Sequence, residues 1–574
     1  MEQSVSAQSA RQSGKLPWGI VIGCGAVLVI CACLVLAVEV AYFTGGMQPV
    51  LAMLGLAGKA QAATLAPANA PFFMAMELDL QQAPNFTKVW SIYDKSAQAR
   101  ASMDDFRKQF RDSTGCDFDA DVAPWWGPDA AIFLTDASNL NPAPTARGAT
   151  PPSPNFVAAI GTRDQAKAAA ALQKCTLKDP ATSQETYKNT QVKIYKSGAA
   201  SAIVANYVLL ASTTTAMHAA LDASSAGGAA TLAQNAKFKD ALARLPANRA
   251  GTIYADMVPL MKAYTQAQVG IQPQALTQLE AYQTMGGSVA FAENGMRLDV
   301  TMTFDPAKLP ACTKQLLQQP PNANQALKAA PANAYLFVAG SNVKGAWECG
   351  LTQMDAATKK QMQDMTDMLK KQMGVDLDAD VFSWLIGEIA FVVTPAQPLS
   401  KGMPGVGILA LVEAKDPNLV NSKMVKITGS LGGQGLTFKD QNVKGVPMKV
   451  ASLGMPGAPG APSIGYGMIG NFLVIGGPLD ALESAVDAPK NPLANDATFR
   501  AVQATLPAKN SGYYYVNVAG IEKAVVEMLS GRDLANYQED VQPWLKPVKA
   551  IGLAAESGKT DVTGATLFVY IRGD

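Results

Sequence analysis

The chain has 574 residues, of which 48% are apolar and 16% charged, with a formal net charge of +1 and one histidine, His218. No basic excess is available to neutralise a phosphate backbone, which disfavours nucleic acid as a partner. A lone imidazole also removes most histidine-based metal and acid–base designs, and the length asks for roughly three or four domains.

In chain order, residues 1–15 read as a cytoplasmic tail, 16–43 as a transmembrane helix and 44–63 as a linker. Leu16 to Val38 is an uncharged run of 23 residues, enough to cross a ~30 Å hydrocarbon core at ~1.5 Å per residue. Arg11 and Lys15 precede it and Glu39 follows, so the N-terminus is expected on the cytoplasmic side and the bulk of the chain outside. Trp18, Tyr42 and Phe43 sit where interfacial aromatics belong. A cleaved signal peptide has a shorter apolar region. A lipidated Cys33 is the other alternative, but the chain stays apolar through Val38. Cys24, Cys31 and Cys33 are then small apolar residues within the span, with palmitoylation a further option.

The remainder predicts an α+β fold of two homologous lobes of antiparallel sheet packed with helices, at 64–305 and 328–574, joined by a linker at 306–327. Pro67-Ala68-Asn69 and Pro331-Ala332-Asn333 open the two lobes, and Pro246-Ala247-Asn248 and Pro507-Ala508-Lys509-Asn510 open a second strand in each. Trp125 matches Trp384, and Phe238 matches Phe499, at a spacing of about 260 residues, too long for a short-unit solenoid. Each lobe reads as two related quarters of strand, long helix and hairpin. In the first quarter the spacing predicts a strand over 72–78, a helix over 87–113 with Gly115 as a left-handed C-cap, and a hairpin of 129–134 with 156–160 across a Pro-rich loop. Strands at 191–195 and 202–211 and short helices at 214–223 and 234–244 follow. The second quarter continues from Tyr254 into a helix reaching about 284. It ends in a hairpin, with Asn294-Gly295 supplying both central positions of a type I′ turn. Helices followed by hairpins favour antiparallel pairing over a doubly wound sheet. The Pro/Gly-rich stretches 403–407 and 454–461 read as loop tips.

Both lobes repeat one motif, Asp117-Phe118-Asp119-Ala120-Asp121-Val122 and Asp376-Leu377-Asp378-Ala379-Asp380-Val381. It leads to Trp125 and Trp384, with a fainter echo at Asp540-Val541-Gln542-Pro543-Trp544. With the Pro-Ala-x-x opening strand and the apolar N-terminal run, the stretch Asp117, Asp121, Val122, Pro124, Trp125, Gly127 resembles DUF3352, a bacterial family of unknown function. In the second lobe Ser383 stands in the place of the proline and Gly387 comes one place later. The resemblance extends over essentially all of 64–574. It implies a location and an architecture, and no activity, substrate or catalytic residue.

The alternating aspartates look like the opening of a calcium loop, but an EF-hand needs Gly at position six and Glu at twelve. Those places hold Val122 and Pro128, or Val381 and Gly387. N-capping explains the same residues, with a non-EF calcium site as the alternative. Trp125, Trp126, Trp384 and Trp544 read as core pegs or as an exposed ligand platform. Met354, Met362, Met365, Met368 and Met373 read as packing, with copper(I) as the competing use of thioethers near Cys349. Four cysteines lie beyond the span, and the shorter closures favour Cys116–Cys175 and Cys312–Cys349. His218 reads as a surface or capping residue.

The function expected is that of a single-pass, membrane-anchored extracytoplasmic protein. It would bind or scaffold without catalysis, needing no cofactor, and engage the membrane through residues 16–43 and an envelope protein or lipid elsewhere. Two alternatives are an envelope hydrolase using Asp119 and Asp121, which would need divergent pKa values, and a lipid carrier with a groove between the lobes.

Overall fold

The computed structural model describes residues 61–77, 85–93, 97–138, 140, 153–175, 181–226, 230–266, 280–398, 405–432, 436–453, 463–556 and 558–573. The expected span at 16–43, the linker up to residue 60 and most of the loop tips lie outside them. No described helix is long and apolar enough to cross a membrane.

The chain is a mixture of helices and antiparallel strands. The first half runs β1 (Phe72–Glu77), α1 (Phe86–Tyr93), α2 (Ala97–Thr114), β2 (Trp126–Leu134), β3 (Phe156–Thr162), α3 (Gln165–Lys174), β4 (Ala181–Tyr187), β5 (Thr190–Tyr195), β6 (Ala200–Val204), β7 (Tyr207–Ala211), α4 (Thr214–Ser225), α5 (Ala236–Ala243), β8 (Gly251–Asp256), α6 (Met257–Gln266), β9 (Tyr282–Ala292) and β10 (Gly295–Phe304). After α7 (Ala311–Leu317) come β11 (Leu336–Gly340), α8 (Val343–Gln353), α9 (Ala356–Met373), β12 (Ile389–Pro395), β13 (Val406–Glu413), α10 (Pro417–Gly432), β14 (Lys439–Val443), β15 (Val446–Ser452), β16 (Ser463–Ile469), β17 (Phe472–Gly477), α11 (Leu479–Asp487) and α12 (Ala497–Gln503). The chain closes with β18 (Asn510–Val516), α13 (Val518–Met528), α14 (Gly531–Asn536), α15 (Gln542–Leu545), β19 (Val548–Glu556) and β20 (Val562–Ile571).

The strands form one antiparallel sheet in the order β4-β5-β6-β7-β3-β2-β1-β8-β9-β10-β20-β19-β18-β11-β12-β13-β17-β16-β15-β14. Read inward from either edge, the order is the same, with β11 in the place of β1, β12 in that of β2, and so on to β20 in that of β10. The two runs meet where β10 pairs with β20, from Gly295 opposite Tyr570 to Thr303 opposite Val562. The halves therefore share a sheet, and a continuous ladder stands where an inter-lobe groove was anticipated.

One face of this sheet, the inner face, carries the deepest packing. Asn235 and Asp496 accept hydrogen bonds from the backbone N–H of Phe238 and Phe499, capping α5 and α12. Each cap delivers its phenylalanine edge-on to a buried tyrosine. Phe238 meets Tyr254 and Phe499 meets Tyr515, both at 5.1 Å between ring centroids. Phe73, Phe133 and Leu209 pack with the first pair, and Phe337, Val392 and Leu409 with the second.

Five local expectations change. The strand expected over 202–211 is two, β6 and β7, which pair with each other across a turn at Ala205 and Asn206. The helix expected over 87–113 is two helices, α1 and α2. Strand β9 begins at Tyr282, so the helix from Tyr254 does not reach 284; α6 ends at Gln266. Strand β4 and helix α3 were not anticipated, because β4 is polar at almost every position and α3 is half alanine. In the β9–β10 hairpin Ala292 pairs with Gly295, so Glu293 and Asn294 form the turn. Gly295 instead opens β10, with φ +151°, and a Cβ there would stand 2.0 Å from the Val569 carbonyl oxygen. Close approach of β20, not a type I′ turn, is what requires glycine here.

Counting across paired strands fixes equivalent positions. Tyr254 leads through Gly286 to Thr301, and Tyr515 leads through Gly552 to Phe568. Two steps along each strand lie Asp299 and Thr566, which pair with each other at the middle of the seam. The Thr566 hydroxyl donates to Asp299 Oδ1 at 2.7 Å, and Arg297 donates to both carboxylate oxygens at 2.7–2.9 Å. Asp299 is buried. Asp299→Ala leaves the guanidinium and the hydroxyl without their acceptor and is expected to cost about 3 kcal/mol; the denaturation midpoint of the purified protein measures it.

Candidate functional site

The two aspartate motifs fold alike because each is a closed set of local hydrogen bonds. Asp117 Oδ1 accepts from the Ala120 N–H at 3.0 Å, and Asp121 Oδ2 accepts from the Asp117 N–H at 2.9 Å. Asp376 and Asp380 repeat both bonds at 3.0 and 2.9 Å. The segments between, Phe118–Val122 and Leu377–Phe382, are π-helical turns. The indole N–H of Trp125 donates to the Asp121 carbonyl at 2.8 Å, and that of Trp384 to the Asp380 carbonyl at 2.7 Å. Gly115 and Gly374, both at positive φ, end the preceding helices.

Cations from neighbouring helices complete the arrangement. Lys174 lies 2.6 Å from Asp121, Arg107 2.8 Å from Asp119, Lys370 2.7 Å from Asp376, and Arg111 pairs with Asp117. Asp380, almost wholly buried, is held by Lys423 at 3.0 Å and by Lys426. The Lys174 hydrogen bond holds the Asp121 carboxyl below its usual range, and the Lys426 bond does so more strongly for Asp380. Among the described residues no group of three or more His, Cys, Asp or Glu side chains is placed to hold a metal ion. Nor can Asp121 serve as a general acid, since its oxygens are taken by an amide and an ammonium. Asp121 thus serves as a backbone acceptor and ion-pair partner, while Asp119 is exposed and paired with Arg107.

Trp125 and Trp384 are both 5% exposed. Trp125 packs with Val122, Ala168, Ala171 and Val208, and Trp384 with Phe382, Val412, Val420 and Met424. Trp126 is half-buried against Phe118. Trp544 differs: half-buried, it stacks on Tyr93 at 6.0 Å and so bridges the halves. Cys116 is bonded to Cys175, tying the first motif to the end of α3, and Cys312 to Cys349, tying α7 to α8. Cys349 is thus no free thiolate for copper. The methionine stripe is not core either. Met354 ends α8; on α9, which packs against α10, no side chain is fully buried, Met362 and Met373 are half-buried, and Met365 and Met368 are 41% and 47% exposed. His218 is half-buried, stacked on Tyr187 and paired with Glu185.

Two buried acids escaped the sequence reading. Asp129 and Glu388 hold equivalent places at the start of β2 and β12, and burial pushes both carboxyls up. Asp129 accepts from the Tyr207 hydroxyl at 2.6 Å, and Glu388 from the Gln325 N–H at 2.6 Å. Two open clefts of about 400 and 620 Å³ lie beside Pro331–Asn333 and Ala68–Pro71. Ion pairs Lys444–Asp487 and Lys237–Asp256 lie within them, and Asp480, Glu483 and Asp136 leave both linings acidic.

The outer face of the sheet is the larger feature. Cross-strand pairing lines up Leu210, Ala158, Ile132, Met74 and Ile253 in one half. In the other it lines up Ile475, Ala410, Phe391, Val338 and Tyr514. At the seam the same face presents Leu298, Val300, Ala565 and Leu567. From β7 across to β17 no charged side chain in register falls on this face. The tryptophan turns with α3 and α10 cover its ends, and Phe86 of α1 covers Phe291. Phe86 packs against Met74 and Ala130 as well, and among the described residues the floor between these covers is open, most widely in the second half. Phe156 and Ile408, in equivalent places, are 42% and 49% exposed, and Phe391 is 44% exposed. Soluble surfaces rarely leave such patches uncovered without a use for them.

A depressed carboxyl stabilises the fold above its unfolded pKa of about 4 and loses that contribution as pH falls toward its folded value. Asp380→Asn is accordingly expected to lower stability by about 2 kcal/mol at pH 7, since it removes the charged acceptor that Lys423 and Lys426 share. The gap to wild type should narrow progressively below pH about 4. Denaturant midpoints across pH 2–8 read this out.

Among curated proteins none matches the chain. Solved structures similar to it are crystal forms III, IV and I of TP0453, each at 8% identity. They cover 45%, 42% and 44% of this chain and 84%, 79% and 83% of theirs, at TM-scores of 0.23, 0.22 and 0.22. A likeness of that size carries no functional meaning. A family model described as "Protein of unknown function (DUF3352)" matches residues 24–571, and the chain belongs to that family.

Proposed function

We propose that this is a membrane-tethered, extracytoplasmic protein of two homologous lobes, 64–305 and 328–574, that acts as a binding or scaffolding module without catalysis. The single observation carrying the reading is the open apolar floor, exposed at the equivalent Phe156 and Ile408 and widest in the second half. Duplication accounts for the strand order that repeats and for the paired tryptophan turns. The uncharged run Leu16 to Val38 supports the tether, and two disulfides suit an oxidising compartment. The aspartates of the hydrolase alternative serve the fold instead, as caps and ion-pair partners.

Hydroxyl-radical footprinting tests the reading without naming the occupant. Phe156 and Phe391 are expected to be oxidised several-fold less in the native envelope than in purified protein. Equal labelling in the two states would sink the proposal.

A further inference from the structure

Resting on that reading, the open floor of the second half can be given an occupant. Tyr514, Val338, Phe391, Ala410 and Ile408 form it, on strands β18, β11, β12 and β13. Strands β11, β12 and β13 each have a neighbour on both sides, so their backbone donors and acceptors are spent within the sheet. Tyr514 is already engaged, and the other four residues of the floor have no side-chain group that can form a hydrogen bond. A protein partner ordinarily makes about one hydrogen bond per 100–200 Å² of interface, and this surface has almost none to give. A saturated hydrocarbon chain asks for none and gains by leaving water.

The chain itself brings such a ligand close. Only 22 residues separate Val38, the end of the uncharged run, from Gln61, the first described residue. Fully extended they reach at most about 70–80 Å, so a tethered molecule stays within range of its own bilayer, at high effective lipid concentration. The net charge of +1 gives no polybasic attraction to headgroups, which leaves apolar contact as the means of capture. We propose that the open floor of the second half binds lipid acyl chains drawn from the membrane that anchors the chain. The binding is by contact alone, along the rows that Phe391 and Ile408 occupy.

The full chain carrying Phe391→Trp, reconstituted in nanodiscs, tests this. Lipids brominated along their acyl chains quench an indole only on contact. The added emission is expected to fall at least twofold relative to unbrominated nanodiscs, whereas Ser183→Trp, on exposed edge strand β4, should be unaffected. Ile408→Trp serves as a second reporter should the first variant misfold. Unchanged emission from a folded variant overturns the lipid assignment. If Phe391 is nevertheless protected in the native envelope, the binding reading stands and the occupant is a protein or a second copy, which crosslinking from position 408 separates.

Discussion

The β10–β20 ladder is the constraint on which the rest of the molecule depends. Without it the strands divide into two sheets, each with a bare edge of unpaired backbone. With it they make one sheet whose free edges, β4 and β14, are short and polar, the usual protection against edge-to-edge association. The ladder also fixes which faces coincide. Because pairing places directly opposite residues on the same side, the inner cores fall on one face and the uncharged floors on the other. A one-residue slip at the seam would put Arg297 and Asp299 on the apolar side. Buried Asp299, holding both Arg297 and Thr566, marks the register that avoids this.

Around this frame the aspartate–tryptophan turns act as brackets. Each is satisfied by its own backbone, so it can be set at a strand entrance with little outside help. The buried indole then fixes a helix, α3 or α10, over the end of the outer face. Asp117, Asp121, Asp376 and Asp380 are structural groups, drawn below their ordinary range by amides and neighbouring cations. The acids pushed the other way, Asp129 and Glu388, sit apart from them under the inner face. Opposed shifts of this kind mark active sites when they share a pocket; here each has its own structural partner.

What the sequence made legible was local. The capping role of Asp117 and Asp376, the burial of Trp125 and Trp384 and the glycine C-cap at 115 all involve residues within a few positions of one another. So did the antiparallel character of the sheet, read from hairpins. What escaped was set by distant pairing. Gly295 looked like a turn residue, but its constraint comes from Val569. Met365 and Met368 on α9 are exposed while Met362 and Met373 are half-buried, since α9 packs on α10 along one side only, a division that methionine spacing alone does not give. The outer floor could not be seen at all, since Val338 meets Tyr514 and Phe391 from strands far along the chain, and each strand alone reads as apolar on both sides.

One consequence of the seam concerns how the halves came to be inseparable. The centre of the β10–β20 pairing is the point where, under the duplication proposed above, a position would confront its own image. Were both copies to keep aspartate there, two carboxylates would be forced together; were both threonine, Arg297 would lose its counter-ion. One covalent chain lets the two images diverge, acid on one strand and hydroxyl on the other. A self-matching contact has thereby become a lock and key, and neither half could now be exchanged for a second copy of the other.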